Sequence, residues 1–190
     1  VFPFLGGVLE WRKKWVVRAA VSVNLNGYRV WDDTGIRNRF DPVWMPHLGV
    51  NYRIADQATV RATFSRGYST PTLAEIRPAD NRIYTDLQPE KGWNTEAGLR
   101  LQFWKGRLAV DASAFHYLLR DGIISRVNES GNNFFTNSGK ILQLGIEALF
   151  SGILRPRSNS GFFRMIRWNG RYTYSRFRYV QDDTGELDFS

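Results

Sequence analysis

From Trp93 to Phe103 the sequence alternates without a break. Trp93, Thr95, Ala97, Leu99, Leu101 and Phe103 fall on one side, and Asn94, Glu96, Gly98, Arg100 and Gln102 on the other. Strict period two specifies a β-strand with an apolar and a polar face. At about 3.3 Å per residue the stretch through Trp104 is roughly 35–40 Å long, near twice an ordinary strand. A strand of that length with one wholly apolar face fits the wall of a membrane barrel, whose lipid side uses every second residue. The other segments are therefore compared with that pattern.

The same alternation recurs before and after. A first strand is expected over about Val1–Glu10, followed by a tight basic turn at Trp11-Arg12-Lys13-Lys14. Further strands are expected near Trp15–Leu25, His47–Ile54, Ala58–Ser65, Leu108–Phe115, Leu142–Phe150 and Ile166–Ser175. Between them, short turns (Ala55-Asp56-Gln57, Lys105-Gly106) alternate with long polar connections. Those connections are expected at Asn26–Val43, Gly67–Gly92 and Arg120–Asn133, with Ile123-Ile124 able to extend the sixth strand. Pro71, Pro78 and Pro89 bar regular structure from the second connection. Short turns thus collect at one end of an up-and-down sheet and long loops at the other, as in outer-membrane barrels. A soluble sandwich gives no reason for that sorting.

Composition narrows the choice. No 18-residue apolar run exists, so no helix is expected to span a bilayer. The polar side carries Arg18, Arg53, Arg61, Glu96, Arg100, Asp111, Glu147, Arg167 and Arg171, charges that need water and suit a wide lumen. Trp11, Trp15, Phe103 and Trp104 gather near the short-turn end, where a bilayer interface holds aromatic rings. The absence of cysteine excludes disulfides and thiolate metal sites. Of the 26 basic residues 21 are Arg, and the net charge is +8. That bias points to an anionic partner such as nucleic acid, a lipid headgroup or an acidic small ligand. In the basic stretch Arg155–Arg178, alternation with Ile166, Trp168 and Tyr172 puts Arg167 and Arg171 on the lumen side, so nucleic acid is not expected as a partner. His47 and His116 stand alone, and Asp32-Asp33 and Asp182-Asp183 lack the spacing of a calcium loop, so no metal site or cofactor is expected. No nucleophile–base pair or phosphate-cradling loop is present, and an enzyme is not expected. The charged face is too long for a small closed barrel of eight strands. The chain therefore reads as a single β domain, residues 1–190, forming about eight strands of a larger barrel.

Three segments resemble the C-terminal half of the barrel of TonB-dependent outer-membrane receptors, in the family's order and spacing. The first is Phe64-Ser65-Arg66-Gly67-Tyr68-Ser69-Thr70-Pro71-Thr72-Leu73-Ala74-Glu75-Ile76. The second is Leu87-Gln88-Pro89-Glu90 with Glu96-Ala97-Gly98-Leu99, where Thr85-Asp86 stands in place of a frequent Asn-Pro. The third is Thr136-Asn137-Ser138-Gly139 with Gly145-Ile146-Glu147. The resemblance implies an all-β, antiparallel, 22-stranded transmembrane barrel in the bacterial outer membrane, of which the plug domain and terminal strands lie outside this chain. It also implies import of a scarce ligand such as a ferric siderophore, driven by the TonB complex through the plug, with lipopolysaccharide and outer-membrane lipid as surroundings. A passive or structural barrel is the alternative, as is import of haem, cobalamin or an oligosaccharide. Ligand-binding candidates in the loops are Tyr28, Arg29, Trp31, Arg37, Arg39, Tyr68, Arg77, Arg82 and Tyr84, since Arg and aromatic groups suit an anionic iron chelate. Pro71, Glu75, Pro89, Glu90, Glu96, Gly98, Asn137, Gly139, Gly145 and Glu147 are expected to serve structure as turn formers and lumen hydrogen-bonding groups.

Overall fold

A computed structural model describes residues 2–29, 35–78, 82–155, 165–180 and 186–187. Its strands are β1 (Phe4–Trp11), β2 (Trp15–Asn24), β3 (Gly27–Arg29), β4 (Arg37–Arg39), β5 (Val43–Ala55), β6 (Ala58–Ser69), β7 (Glu90–Phe103), β8 (Leu108–Val127), β9 (Asn133–Arg155), β10 (Ile166–Val180) and β11 (Glu186–Leu187). One four-residue helix, α1 (Leu73–Ile76), lies between β6 and β7. Nine strands form a single antiparallel sheet in the order β1-β2-β5-β6-β7-β8-β9-β10-β11, and β3 and β4 form a separate hairpin. Each long strand pairs with its neighbour in sequence, so this is the up-and-down wall that the alternation predicts. No described helix is long and apolar enough to cross a membrane.

The two faces differ as the sequence requires. On the apolar side Leu48, Phe64, Leu99, Phe103, Leu144, Ile146, Tyr172 and Tyr174 stand exposed, Leu99 by 37% and Tyr172 by 58%. The buried hydrophobic residues are instead Phe40, Val43, Ile76 and Leu87, all at the long-loop end. A soluble sheet does not leave such a face open, whereas a bilayer covers it. From Trp93 to Phe103 the strand spans about 33 Å, which at a tilt near 40° matches an apolar band roughly 25 Å tall. Trp15 stacks on Tyr52 at 4.2 Å near the short-turn end, and Phe64 on Trp93 at 4.8 Å near the other.

The short turns are tight, with Arg12, Lys13, Trp104 and Lys105 all at positive φ. Each passes a hydrogen bond to the next hairpin. Lys14 O accepts from Arg53 N at 2.8 Å, Gln57 O from Gln102 N at 2.8 Å, and Arg107 O from Ile153 N at 2.7 Å. No carbonyl at these positions is left for lipid to desolvate.

The charged face is stitched across strands. Arg61 on β6 lies opposite Gly98 on β7. Its Nη1 reaches past β7 to Asp111 Oδ1 on β8 at 2.5 Å, and its Nε lies 3.5 Å from Glu96 Oε1. Passage over β7 depends on the glycine, since a Cβ at Gly98 would sit 2.7 Å from Arg61 Cζ. The Glu96-x-Gly98 motif is thereby explained: the carboxylate flanks the guanidinium and the glycine makes room beneath it. Gly145 serves a ring in the same way, because the Phe115 side chain covers the space its Cβ would fill. Glu147 faces Arg171 on β10 at 3.8 Å.

One expectation is corrected at the long-loop end. Arg120–Asn133 was expected to be a loop, yet β8 runs to Val127, β9 starts at Asn133, and only residues 128–132 connect them. The two strands stay paired from Gly122↔Ser138 to Val127↔Asn133. Asp121 breaks the strand locally at φ 57° but does not end it. The side chain of Asn137 bridges the break, donating to Asp121 O at 2.5 Å. It also donates to Gln88 O at 2.9 Å and accepts from Gln88 N at 2.7 Å, as a strand backbone would. Glu90 Oε1 accepts from Ile123 N at 2.8 Å. The paired segment beyond Arg120 is about 20 Å long and rises above the apolar band. Similarly, the expected loop at 26–43 contains the β3–β4 hairpin.

Two substitutions test these arrangements in the protein folded in lipid. Gly98→Val displaces the Arg61 guanidinium and should cost about 2 kcal/mol of barrel stability, measured by urea unfolding in lipid. A variant as stable as the parent would refute the crossing arrangement. Asn137→Ala removes three hydrogen bonds and should raise hydrogen exchange around Gln88 and Ile123 several-fold while the melting of the wall stays unchanged. Unaltered protection there would show that Asn137 is not the tie.

Candidate functional site

The long-loop end holds the groups able to meet a ligand. In the first connection β3 and β4 pair Gly27↔Arg39, Tyr28↔Asn38 and Arg29↔Arg37. This register places Arg29, Arg37 and Arg39 on one face of a two-stranded ribbon and Tyr28 with Asn38 on the other. All three arginines are exposed and Tyr28 is half-buried. Arg29 and Arg37 lie directly opposite each other across the ribbon. A cleft of about 760 Å³ opens around the ribbon, with the arginines, Tyr28 and Phe40 among its walls. Tyr28 and Phe40 meet edge-tilted at 5.8 Å. This combination of several cations, an aromatic wall and room for a mid-sized molecule can hold a bulky anionic ligand.

The ribbon is fixed from outside. Asn38 Nδ2 donates to Thr85 O at 3.1 Å, tying the first connection to the second, and lies 3.4 Å from the Tyr28 hydroxyl. Phe40 N donates to Asn26 O at 3.0 Å and closes the ribbon's base.

The second connection begins with Pro71 and the short helix α1. Thr72 caps it: Thr72 N donates to Glu75 Oε2 at 2.6 Å, and Glu75 N to Thr72 Oγ1 at 3.4 Å. The Glu of the first motif is thus the returning half of a capping box. Tyr84 N then donates to Ile76 O at 2.8 Å. Leu87 and Pro89 are buried as the chain enters β7.

The structure sorts the sequence candidates into groups. It brings Tyr28, Arg29, Arg37 and Arg39 together around the cleft. Tyr68 lies one residue before the end of β6, its hydroxyl buried beside Asn26, which lines the cleft. Arg77 caps α1 and is exposed, and Arg82 is also exposed. Tyr84 stacks on Phe134 of β9 at 6.0 Å, which makes it a brace between the second connection and the β8–β9 hairpin. Trp31 and both Asp pairs, Asp32-Asp33 and Asp182-Asp183, lie outside the described residues. Sequence reading missed Asn38, whose position midway between two candidate arginines was the signal. His47 lies on the charged face and His116 on the apolar one, and among the described residues no group of His, Asp or Glu is arranged to hold a metal.

Residues 4–189 match the family described as TonB dependent receptor-like, beta-barrel. Among solved structures the chain is similar to the copper transporter OprC, with a TM-score of 0.78, 15% identity, and coverage of 96% of this chain and 29% of that one. It is also similar to the siderophore receptor PirA from Pseudomonas aeruginosa (TM-score 0.70, 16% identity, 93% and 31% covered). A third similar structure is the FrpB iron transporter from Neisseria meningitidis (TM-score 0.69, 14% identity, 95% and 26% covered). No curated protein sequence matches the chain. The chain therefore spans less than a third of the length of these structures, and at such identities the likeness carries the fold. With the family match running almost end to end over a sheet that has one apolar and one charged face, the chain belongs to the TonB-dependent receptors of the bacterial outer membrane, as part of their β-barrel wall.

Proposed function

We propose that the protein containing this wall is a TonB-energised importer of a scarce anionic ligand, most consistent with a ferric siderophore or related iron chelate. The observation that carries this reading is the arginine ribbon of β3 and β4, with its aromatic wall and cleft at the extracellular end. A ferric chelate built on catecholate or hydroxamate groups presents spread negative charge and flat apolar surface. Guanidinium groups bond such oxygens as charge-assisted donors, and Tyr28 supplies a ring face. The neighbours PirA and FrpB, by their titles a siderophore receptor and an iron transporter, agree with that class. The charged lumen face formed by Arg61, Glu96 and Asp111 would line the path below, with the plug and TonB complex supplying the energy.

The reading is tested by titrating the full-length receptor with a ferric tris-catecholate and a ferric tris-hydroxamate, following tryptophan fluorescence. Saturable binding of one of them is expected, with Arg37→Ala/Arg39→Ala weakening it by tenfold or more. A single lost charged hydrogen bond of about 1.5 kcal/mol already corresponds to about tenfold. Saturable binding of haem, cobalamin or an oligosaccharide in place of both chelates would reassign the ligand. Ohmic conductance in planar bilayers with no saturable ligand would instead make the protein a passive channel.

A further inference from the structure

A second cleft, of about 660 Å³, opens on the charged face at the short-turn end. In an outer-membrane barrel that end is the periplasmic one. β5 runs from one cleft to the other. Pro42, just before it, lines the upper cleft, and Asn51 and Arg53, near its far end, line the lower one. The stretch from Pro42 to Asn51 covers about 30 Å. Each cleft has three arginines in its walls, Arg29, Arg37 and Arg39 above and Arg53, Arg61 and Arg100 below.

The three lower arginines are not equivalent. Arg100 lies directly opposite Asp111 on β8. Asp111 Oδ1 is nevertheless taken by Arg61 Nη1, at 2.5 Å, from two strands away. Arg61 is thus offset by Asp111 and Glu96 together. Arg53 and Arg100 are exposed, and among the described residues neither side chain has a hydrogen-bond or ion-pair partner. Thr59 pairs with Arg53 on one side and with Arg100 on the other. The two guanidinium groups are therefore rooted two strand spacings apart, about 10 Å. That gap suits a bulky anion with charge on opposite edges, bonded from both sides. No aromatic ring lines this cleft, and Asp56 and Asp111 stand in its walls. The acids repel an anion, and the stacking surface that Tyr28 offers above is missing. The lower cleft therefore holds the same anion more weakly than the upper one. Passage requires this, because a tight site at the exit would stall release.

We infer that Arg53 and Arg100 form a transit site in the lower lumen, where the anionic ligand is held briefly on its way to the periplasm. The Arg61–Asp111 ion pair serves this site by keeping the Asp111 carboxylate off Arg100. The inference rests on the reading of the protein as an importer of an anionic chelate, and it adds a second, weaker subsite at the other end of the same wall.

The test expresses the full-length receptor in cells given a radio-iron tris-catecholate or tris-hydroxamate. Binding to de-energised cells reads the upper cleft, and uptake by energised cells reads passage. Arg53→Gln/Arg100→Gln should lower the maximal uptake rate by about fivefold or more and keep the binding affinity within about twofold of the parent. Arg53→Lys/Arg100→Lys, which retains both charges, should restore about half of the lost uptake or more. The heat-dependent gel shift of a folded barrel checks that each variant is intact. If the double variant fails to fold, Arg100→Gln alone should lose about twofold in uptake rate. Unchanged uptake by the folded variants would overturn the transit site. Binding weakened as much as uptake would also overturn it, by placing the arginines in the capture site. Passive entry of a bulky polar antibiotic into cells carrying the variant would overturn it too, by making the arginines a contact of the plug. Parent cells that neither bind nor import either chelate would refute the importer reading itself, and the transit site with it.

Discussion

The arrangement depends on one requirement: in hydrocarbon every backbone N–H and C=O must find a partner within the protein. Up-and-down antiparallel pairing meets that need with the shortest connections. Where the chain turns at the short-turn end, the freed carbonyls of Lys14, Gln57 and Arg107 bond the next hairpin. Where the ladder falters at Asp121, the Asn137 amide takes the place of backbone groups. Once the backbone is satisfied in this way, one set of alternate side chains faces lipid and the other faces water. The two faces could then be chemically opposite over the same strands.

Much of this was legible in the sequence because a strand's faces follow from spacing alone. Trp93–Phe103, the tight turns and the sorting of loop lengths needed no partner to be known. The height of the β8–β9 hairpin was not legible in the same way. Asp121-Gly122 and Gly131-Asn132-Asn133 carry turn composition, and nothing local shows that Asn137, sixteen residues on, holds the strand through the first of them. The roles of Glu96 and Gly98 likewise appear only when Arg61 and Asp111 are set beside them by pairing.

The candidate site divides along the same line. Residue type named Tyr28, Arg29, Arg37 and Arg39 as candidates, and their grouping around one cleft appears only with the β3–β4 pairing. The contact of the Tyr84 ring with Phe134 of β9 was not legible, because it joins residues fifty apart in the chain.

In the main sheet each strand pairs only with those beside it among the described residues, and β9 also meets the second connection through α1, Tyr84 and Gln88. Such a wall is mechanically one-dimensional: strain in one hairpin is felt by the two that flank it and fades beyond them. The Arg61 side chain is an exception, because it is rooted in β6 and anchored in β8 and so couples strands that share no ladder. A long guanidinium crossing over a glycine therefore acts as a lateral tie rod, and it keeps the spacing of three strands fixed while the loops above them remain free to vary.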